Sequence, residues 1–187
     1  MVGNKGQESA PFELLIAVIV MGFVIFIGMR AMSDLMVQKC YGETDSKLEE
    51  MKTKLEIAVT QKSPQNLNFR LSSCFNEAEE IIKIKDFSEP QLCASYCGSA
   101  KNICTLLQYS YTGASGFSIR KCLNISPDTV FPQTAGTLED DSLKCKIREN
   151  SELVNFREGI PQANYTFLNK TRATDTFPTI CAYRSTE

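Results

Sequence analysis

Eight cysteines are the residues of this 187-residue chain whose type and spacing most directly indicate chemistry. Their number is even, and their closest spacing is Cys93-x-x-x-Cys97. Zinc thiolates and iron–sulfur clusters usually use Cys-x-x-Cys pairs, so the pattern favours disulfides in an oxidising compartment and leaves metal thiolates as the alternative. The cysteines predicted to form up to four disulfides are Cys40, Cys74, Cys93, Cys97, Cys104, Cys122, Cys145 and Cys181.

The chain lacks the residues that most enzymes use for catalysis. The chain contains no histidine, which excludes Ser-His-Asp and Cys-His catalysis and every zinc site that needs imidazole. No pair of carboxylates stands out as a catalytic dyad, and the spacing of Cys93 and Cys97 is not that of thiol oxidoreductases. The net charge of −2 gives no basic surface for nucleic acid. We expect a non-enzyme without metal, cofactor or nucleic-acid partner.

Three Asn-x-Ser/Thr triplets lie towards the C-terminal end of the chain. Their asparagines are Asn124, Asn164 and Asn169. Such triplets are acceptors for N-glycosylation in extracytoplasmic loops, although they also occur by chance. Together with the cysteines they predict a glycosylated surface outside the cytoplasm, with unmodified asparagines as the alternative.

An apolar stretch, residues 11–29, precedes the cysteine-rich part of the chain and is the element predicted to anchor it. It is 19 residues long and Glu13 is its one charge, so as a helix it covers nearly the hydrocarbon thickness of a bilayer at about 1.5 Å per residue. The sequence after it, Met29-Arg30-Ala31-Met32-Ser33, is a poor cleavage site for a secretory signal. The stretch is therefore predicted to remain on the chain.

The helix is predicted to continue beyond the bilayer as an amphipathic segment. Ala31, Leu35 and Met36 continue an apolar stripe, and Gly42 is a plausible stop. A helix of about 30 residues results. We expect Ala31 and Leu35 to pack under the sheet of the region that follows.

The residues before the helix resemble a known family. Lys5-Gly6-Gln7-x-Ser9, directly followed by an apolar helix with one early glutamate, resembles the class III signal peptides of archaeal type IV pilin-like proteins. The resemblance covers about the first 40 residues. It implies that a prepilin peptidase cuts after Gly6, that Gln7 becomes the N-terminus, and that the helix becomes the core of a filament.

The position of the glutamate departs from the family pattern. The family places it fifth after the cut, where this chain has Pro11, and Glu13 follows two residues later. By the resemblance, Glu13 pairs with the freed amino group of a neighbouring subunit and sets the stagger of assembly. The alternative is that Glu13 lies at the lipid–water interface and stabilises the first helical turn.

The fold class is predicted to be α+β: a long N-terminal apolar helix, then a mainly antiparallel β head with short helices and several disulfides. The domains are a leader at 1–6, the helix at 7–41 and the head at 42–187. A capping box at Ser46 and Glu49 predicts a separate helix over 46–61. Further predicted elements are a strand at 66–72, a strand at 81–87 with a helix as the alternative for its first half, and a short helix from Pro90. A hairpin of 103–111 with 117–125 and strands at 142–148, 152–157, 164–168 and 179–184 complete the prediction.

The hairpin suggests one pairing of cysteines. Cys104 and Cys122 fall on the face opposite the apolar residues, within two residues of direct opposition, and predict a cross-hairpin disulfide. Alternatively, they tie the hairpin to other segments. Cys93 and Cys97 share a helical face and are expected to pair elsewhere rather than with each other. Cys145 and Cys181 are candidates to staple the end of the chain to the sheet.

Taken together, the expected function is that of a structural subunit of an archaeal surface filament, resembling type IV pilins. The expected partners are membrane lipid, a prepilin peptidase, and copies of the chain or related pilins. The N-terminus would lie in the cytoplasm and the head outside, with the chain crossing the cell membrane once or extending into an extracellular filament. The alternative is an uncleaved single-pass protein that displays a disulfide-rich binding or adhesion domain.

Overall fold

The computed structural model describes residues 10–61, 63–71, 80–98, 102–111, 117–132 and 145–186. The chain divides into two units, Met1–Tyr41 and Gly42–Glu187. The predicted α+β class is confirmed. The helices are α1, Ala10–Thr60, and α2, Pro90–Cys97; the strands are β1 Gln65–Phe69, β2 Glu80–Phe87, β3 Cys104–Tyr111, β4 Phe117–Leu123, β5 Ser151–Leu153, β6 Ala163–Asn169 and β7 Ile180–Ser185.

Helix α1 corrects two of the sequence predictions. It runs through Gly42 without the expected break, so the predicted helices of about 30 and 16 residues are one helix of 51 residues. Thr44 is fully buried and begins, one turn before Leu48, the face that packs in the head. A glycine inside a helix costs about 1 kcal/mol. The packing of Thr44 and Leu48 in the head outweighs this cost at Gly42, so the helix continues past Ser46. Ser46 therefore lies within the helix rather than capping it.

The β-strands form two antiparallel sheets in the head. The four-stranded sheet has the order β1-β6-β7-β5, and the three-stranded sheet has the order β2-β3-β4. Along β6 the burial alternates, with Ala163, Tyr165 and Phe167 buried, because successive side chains of a strand point to opposite faces. The strands predicted at 66–72, 81–87, 164–168 and 179–184 are confirmed within a few residues. The predicted strand at 152–157 shortens to β5, and 142–144 lie outside the described residues.

One hydrophobic core joins the last part of α1 to one face of each sheet. Within residues 42–60, Leu48, Met51, Leu55 and Ala58 are all fully buried, as their helical spacing predicts. The sheet residues in this core are Leu67, Phe69, Ala163, Tyr165, Phe167, Ile180 and Ala182 of the four-stranded sheet, and Ile82, Ile84, Leu107, Tyr109, Ile119 and Leu123 of the three-stranded sheet. Three residues outside regular elements, Phe131, Phe156 and Ile160, complete it.

A salt-bridge cluster lies beside this core. The Lys121 ammonium on β4 is 2.7 Å from Asp45 Oδ1 and 3.4 Å from Glu49 Oε2. A hydrogen bond from Lys52 lowers the pKa of the Glu49 carboxyl, and Lys121 lowers it further. Desolvation opposes protonation of Lys121, but its two carboxylate neighbours raise its pKa overall. Glu49 thus uses its carboxylate between helix and sheet instead of in the predicted capping box.

Helix α2 is fastened to the outer face of the three-stranded sheet by two disulfides. Cys93 bonds to Cys104 and Cys97 bonds to Cys122, with Cα–Cα distances of 5.6 and 5.2 Å. The expectation that Cys93 and Cys97 pair with other segments is therefore confirmed. A small apolar cluster surrounds these cystines, formed with Leu106, Phe87 and Leu92.

The predicted Cys104–Cys122 disulfide is wrong. The register places Cys122 opposite Leu106, two residues from Cys104. Diagonal neighbours of this kind have Cα atoms roughly 7–8 Å apart, beyond the usual span of a disulfide. The two cysteines do share the outer face, but each bonds to α2.

A sharp backbone turn at Gly159 leads to a prediction for stability. Its φ is 108°, and a Cβ atom there would lie 2.7 Å from Ile81 Cγ2. Because an L side chain rarely adopts this φ, we expect Gly159→Ala to lower the free energy of unfolding by about 1–3 kcal/mol. Urea denaturation followed by far-UV circular dichroism measures the change.

Gly42→Ala is the matched control. Gly42 lies inside α1, and a Cβ atom there would meet no neighbouring atom within 4 Å. Alanine should raise the free energy of unfolding by about 0.5–1 kcal/mol, because it loses less backbone entropy in a helix than glycine does. Equal destabilisation by both substitutions would contradict the conformational argument.

Candidate functional site in the apolar helix

The N-terminal part of α1 is long, apolar and uncovered. Every side chain from Phe12 to Lys39 is exposed. Phe12–Met29 is about 27 Å long in helical geometry, and the helix is apolar and long enough to cross a membrane. A core helix of a soluble protein would be mostly buried, so its exposure argues against that class of helix. Water alone is a poor environment for this surface.

The exposed apolar surface extends past the first charge that follows the apolar stretch, Arg30. Met32, Leu35 and Met36 are 63%, 64% and 59% exposed. Their spacing of three and four residues places them on one face of the helix, with Arg30 and Asp34 on the opposite face. The expectation that Ala31 and Leu35 pack under the sheet is wrong, since both are exposed. The residues that pack in the head start one to two turns later, as α1 is longer than predicted.

Two charged residues bracket the apolar stretch. Glu13 lies in the first turn of α1 and is exposed, where a carboxylate is favourable to the positive end of the helix dipole. The Arg30 guanidinium lies 4.6 Å from the centre of the Phe26 ring, one turn earlier. Arginine in this position covers apolar surface with its stem while its charge reaches the water phase. The processing residues predicted from the resemblance, Lys5, Gly6 and Gln7, lie outside the described residues.

The cysteines act as structural braces. Besides the two disulfides of α2, Cys145 bonds to Cys181 of β7 with a Cα–Cα distance of 5.6 Å. Cys40 is also disulfide-bonded and is buried, while Cys74 lies outside the described residues. Disulfide formation is confirmed for these seven cysteines. Among the described residues, no three His, Cys, Asp or Glu side chains are grouped so that they could hold a metal ion.

The three sequon asparagines lie in different environments. Asn124 follows β4 and is exposed, and its backbone N–H donates to Glu56 Oε1 at 2.7 Å. Asn164 is half-buried on the outer face of β6, opposite Asn68 of β1. Asn169 Nδ2 donates to the Val59 carbonyl at 2.9 Å, in the last turn of α1. The amide of Asn169 thus satisfies a carbonyl that the helix leaves without an internal partner.

These environments predict different glycan occupancy. Thr171, the third residue of the Asn169 sequon, also uses its hydroxyl, since Oγ1 accepts from Thr179 N–H at 2.9 Å. We therefore expect a glycan on exposed Asn124 and an unmodified Asn169. Mass spectrometry of proteolytic glycopeptides from the native source measures both sites in one digest. Glycan on Asn169 together with an unmodified Asn124 would contradict the expectation.

The comparisons with known proteins provide no relative. No family model, curated protein or solved structure matches this chain.

One surface feature of the head has no signal in the sequence that could have revealed it. A cleft on the outer face of the four-stranded sheet gathers residues from 146–151, β6, Lys170 and β7. These segments are separated along the chain, and only the strand order β6-β7-β5 brings them together. Two of its basic residues, Arg148 and Lys170, lie in different segments of the chain, so no linear motif joins them.

Proposed function

We propose that this chain is a structural subunit of the type IV pilin-like class, which is anchored in the membrane by α1 and assembles with copies of itself through the same helix. The observation that carries the proposal is the length of the exposed apolar surface. Phe12–Met36 would extend about 38 Å, against about 30 Å of bilayer hydrocarbon. Lipid can cover only part of this surface, and other protein chains are the natural cover for the rest.

Identical helices are suited to cover the remainder. The face formed by Met32, Leu35 and Met36 repeats on every copy, so parallel helices can bury these side chains against each other. Arg30 and Asp34 on the other face alternate in sign, which allows contacts between staggered copies. As the resemblance to pilins implies, the carboxylate of Glu13 in the first turn would pair with a neighbouring subunit and help to set the stagger between subunits.

The other properties proposed for the chain follow from this class. A prepilin peptidase would remove residues 1–6 after Gly6, and the disulfide-braced head would lie outside the membrane, where disulfides persist. The head would form the outer surface of a filament and carry any glycans. The chain would act as a structural element rather than as an enzyme.

Filament formation tests the proposal in an archaeal host that supplies a prepilin peptidase and an assembly machinery. Electron microscopy should show filaments for the wild type. Leu35→Glu should abolish them, because it places a carboxylate in the face that copies would bury. Gly6→Val should also abolish them, by blocking the cut.

Val37→Glu is the matched control for Leu35→Glu. Both replace an exposed apolar side chain by glutamate, but Val37 lies about 200° around the helix from Leu35, beside Arg30. We expect filaments with Val37→Glu. Membrane-bound chains that never form filaments in any variant would contradict assembly and favour a single-pass protein that displays its head.

A further inference from the structure

A cleft of about 680 Å³ lies on the outer face of the four-stranded sheet. Its floor is formed by residues of β6 and β7, among them Thr166, Leu168 and Tyr183. One wall is the segment 146–151, and Lys170 stands after the end of β6. This volume suits a ligand of several rings rather than a single inorganic ion.

The wall is held in place by contacts with β7. The Cys145–Cys181 disulfide fixes its start, and the Tyr183 hydroxyl donates to the Lys146 carbonyl at 2.8 Å. A tight turn follows, with Asn150 at φ 54° and its carbonyl accepting from Thr186 N–H at 3.1 Å. A wall fixed at both ends keeps the cleft open without a ligand, which reduces the entropic cost of binding.

The cleft is cationic. Arg148 holds its guanidinium 5.4 Å from the centre of the Tyr183 ring, and Lys170 is exposed after the end of β6. Among the described residues, neither side chain forms a salt bridge. Lys146 also lines the cleft, and among the described residues Glu149 is the one acidic residue of the lining. Burial raises the pKa of the Tyr183 hydroxyl, against the opposing effect of Arg148, so the phenol remains a neutral donor.

A second depression continues the cleft across the sheet. It has a volume of about 400 Å³, shares Thr166 and Ser185 with the cleft, and presents Asn66, Asn68 and Asn164. Thr166 Oγ1 donates to Asn66 Oδ1 at 2.9 Å, which orients that amide. From β5 to β1 the path crosses three strand spacings, or about 14 Å. The groove is thus cationic at one end and rich in neutral amides and hydroxyls at the other.

We infer that this groove binds an acidic oligosaccharide, with its carboxylate or sulfate groups at Arg148 and Lys170 and its hydroxyls at the amides of β1 and β6. Side-chain amides and hydroxyls both donate and accept, which matches the hydroxyl groups of a sugar. Leu168 in the floor offers an apolar contact for the C–H face of a ring. An acidic peptide would pair with the two basic side chains, but it would leave more of the amides and hydroxyls at the other end of the groove without hydrogen-bond partners.

Modification of Asn164 would decide whether the groove is free to bind a sugar from another molecule. The groove is proposed to bind sugar from another molecule, yet a glycan on Asn164 would start inside the same groove and occupy it. Glycosylation at this position and binding should therefore be mutually exclusive. The proposal does not depend on filament assembly, since all the residues of the groove belong to the head.

The test uses the full chain in detergent micelles and isothermal titration calorimetry. The probes are hexagalacturonate, neutral maltohexaose and hexaglutamate, each titrated into unglycosylated protein. Arg148→Gln and Lys170→Gln should each weaken hexagalacturonate binding by about tenfold or more. Lys85→Gln on the three-stranded sheet removes the same charge elsewhere and should leave binding unchanged.

The outcomes separate the possible ligands. Hexagalacturonate binding that is weakened by raised salt and by both groove variants, with maltohexaose and hexaglutamate binding at least tenfold more weakly, supports the inference. Equal binding of hexaglutamate would overturn the sugar assignment, and unchanged affinity in both groove variants would overturn the site. Protein glycosylated at Asn164 should not bind, whereas the same chain made in a host without N-glycosylation should; equal binding by both would contradict the shared groove.

Discussion

Replacing Phe156 by alanine is expected to lower the free energy of unfolding of the head by about 3–5 kcal/mol. Phe156 is fully buried in a turn between β5 and β6. Its ring centre lies 5.9 Å from that of Phe131, 5.7 Å from that of Tyr165 and 5.6 Å from that of Phe167. Removing the ring leaves a cavity between these three aromatic side chains, which cannot all move inward to fill it.

Phe177→Ala is the control for this substitution. Phe177 is also outside regular secondary structure, but it is 43% exposed. The same chemical deletion should therefore cost much less, about 1 kcal/mol or below. Chemical denaturation monitored by tyrosine fluorescence gives both values. Similar losses for the two variants would show that Phe156 is not central to the core.

Complete reduction of the disulfides is the second large expected effect. The three disulfides between described cysteines join residues 11, 25 and 36 apart in sequence. Loop-closure entropy assigns roughly 3–4 kcal/mol to each. Their combined loss is comparable with the whole stability of an ordinary domain, so we expect the reduced head to be unfolded at room temperature.

The measurement is far-UV circular dichroism of the full chain in micelles, before and after a strong reductant with thiol alkylation. The β signal should disappear, whereas the helical signal of the apolar segment, Phe12–Met29, should remain. Replacing Cys93 and Cys104 together by serine should remove only part of the stability, because that pair closes the shortest of the three loops. A fully folded head after verified reduction would contradict the role assigned to the disulfides.

Periodicity made much of this fold predictable. Alternating apolar residues correctly indicate β1, β3 and β4, and the spacing of Leu48, Met51 and Leu55 correctly indicates the buried face of α1. These signals are local: each depends only on how one element divides its side chains between two faces. The α+β class follows from them.

Features that depend on contacts between distant segments were not predictable. The cross-hairpin disulfide failed because register and the position of α2 decide which cysteines meet. The break at Gly42 failed because packing that begins at Thr44 holds the helix together against a local preference. Phe156 and Ile160 join the core from irregular segments, where no periodicity marks them.

The candidate site divides in the same way. The apolar helix is evident from composition, and the structure adds that its side chains from Phe12 to Lys39 are exposed. The role of Asn169 at the end of α1 was hidden, because a sequon looks the same whether its amide is exposed or hydrogen-bonded to Val59. The acidic-sugar groove is formed by residues from four separate segments and has no linear motif.

The N-terminal residue of the mature protein distinguishes a chain that is cut before the apolar helix from one that is not. The protein would be purified from its native membrane or filament, and its N-terminus would be determined by intact mass and by sequencing of the first peptide. We expect a chain that begins at Gln7 and retains the whole apolar helix, Phe12–Met29. A chain that keeps Met1, or one that begins after Met29, would contradict processing of the pilin-like class.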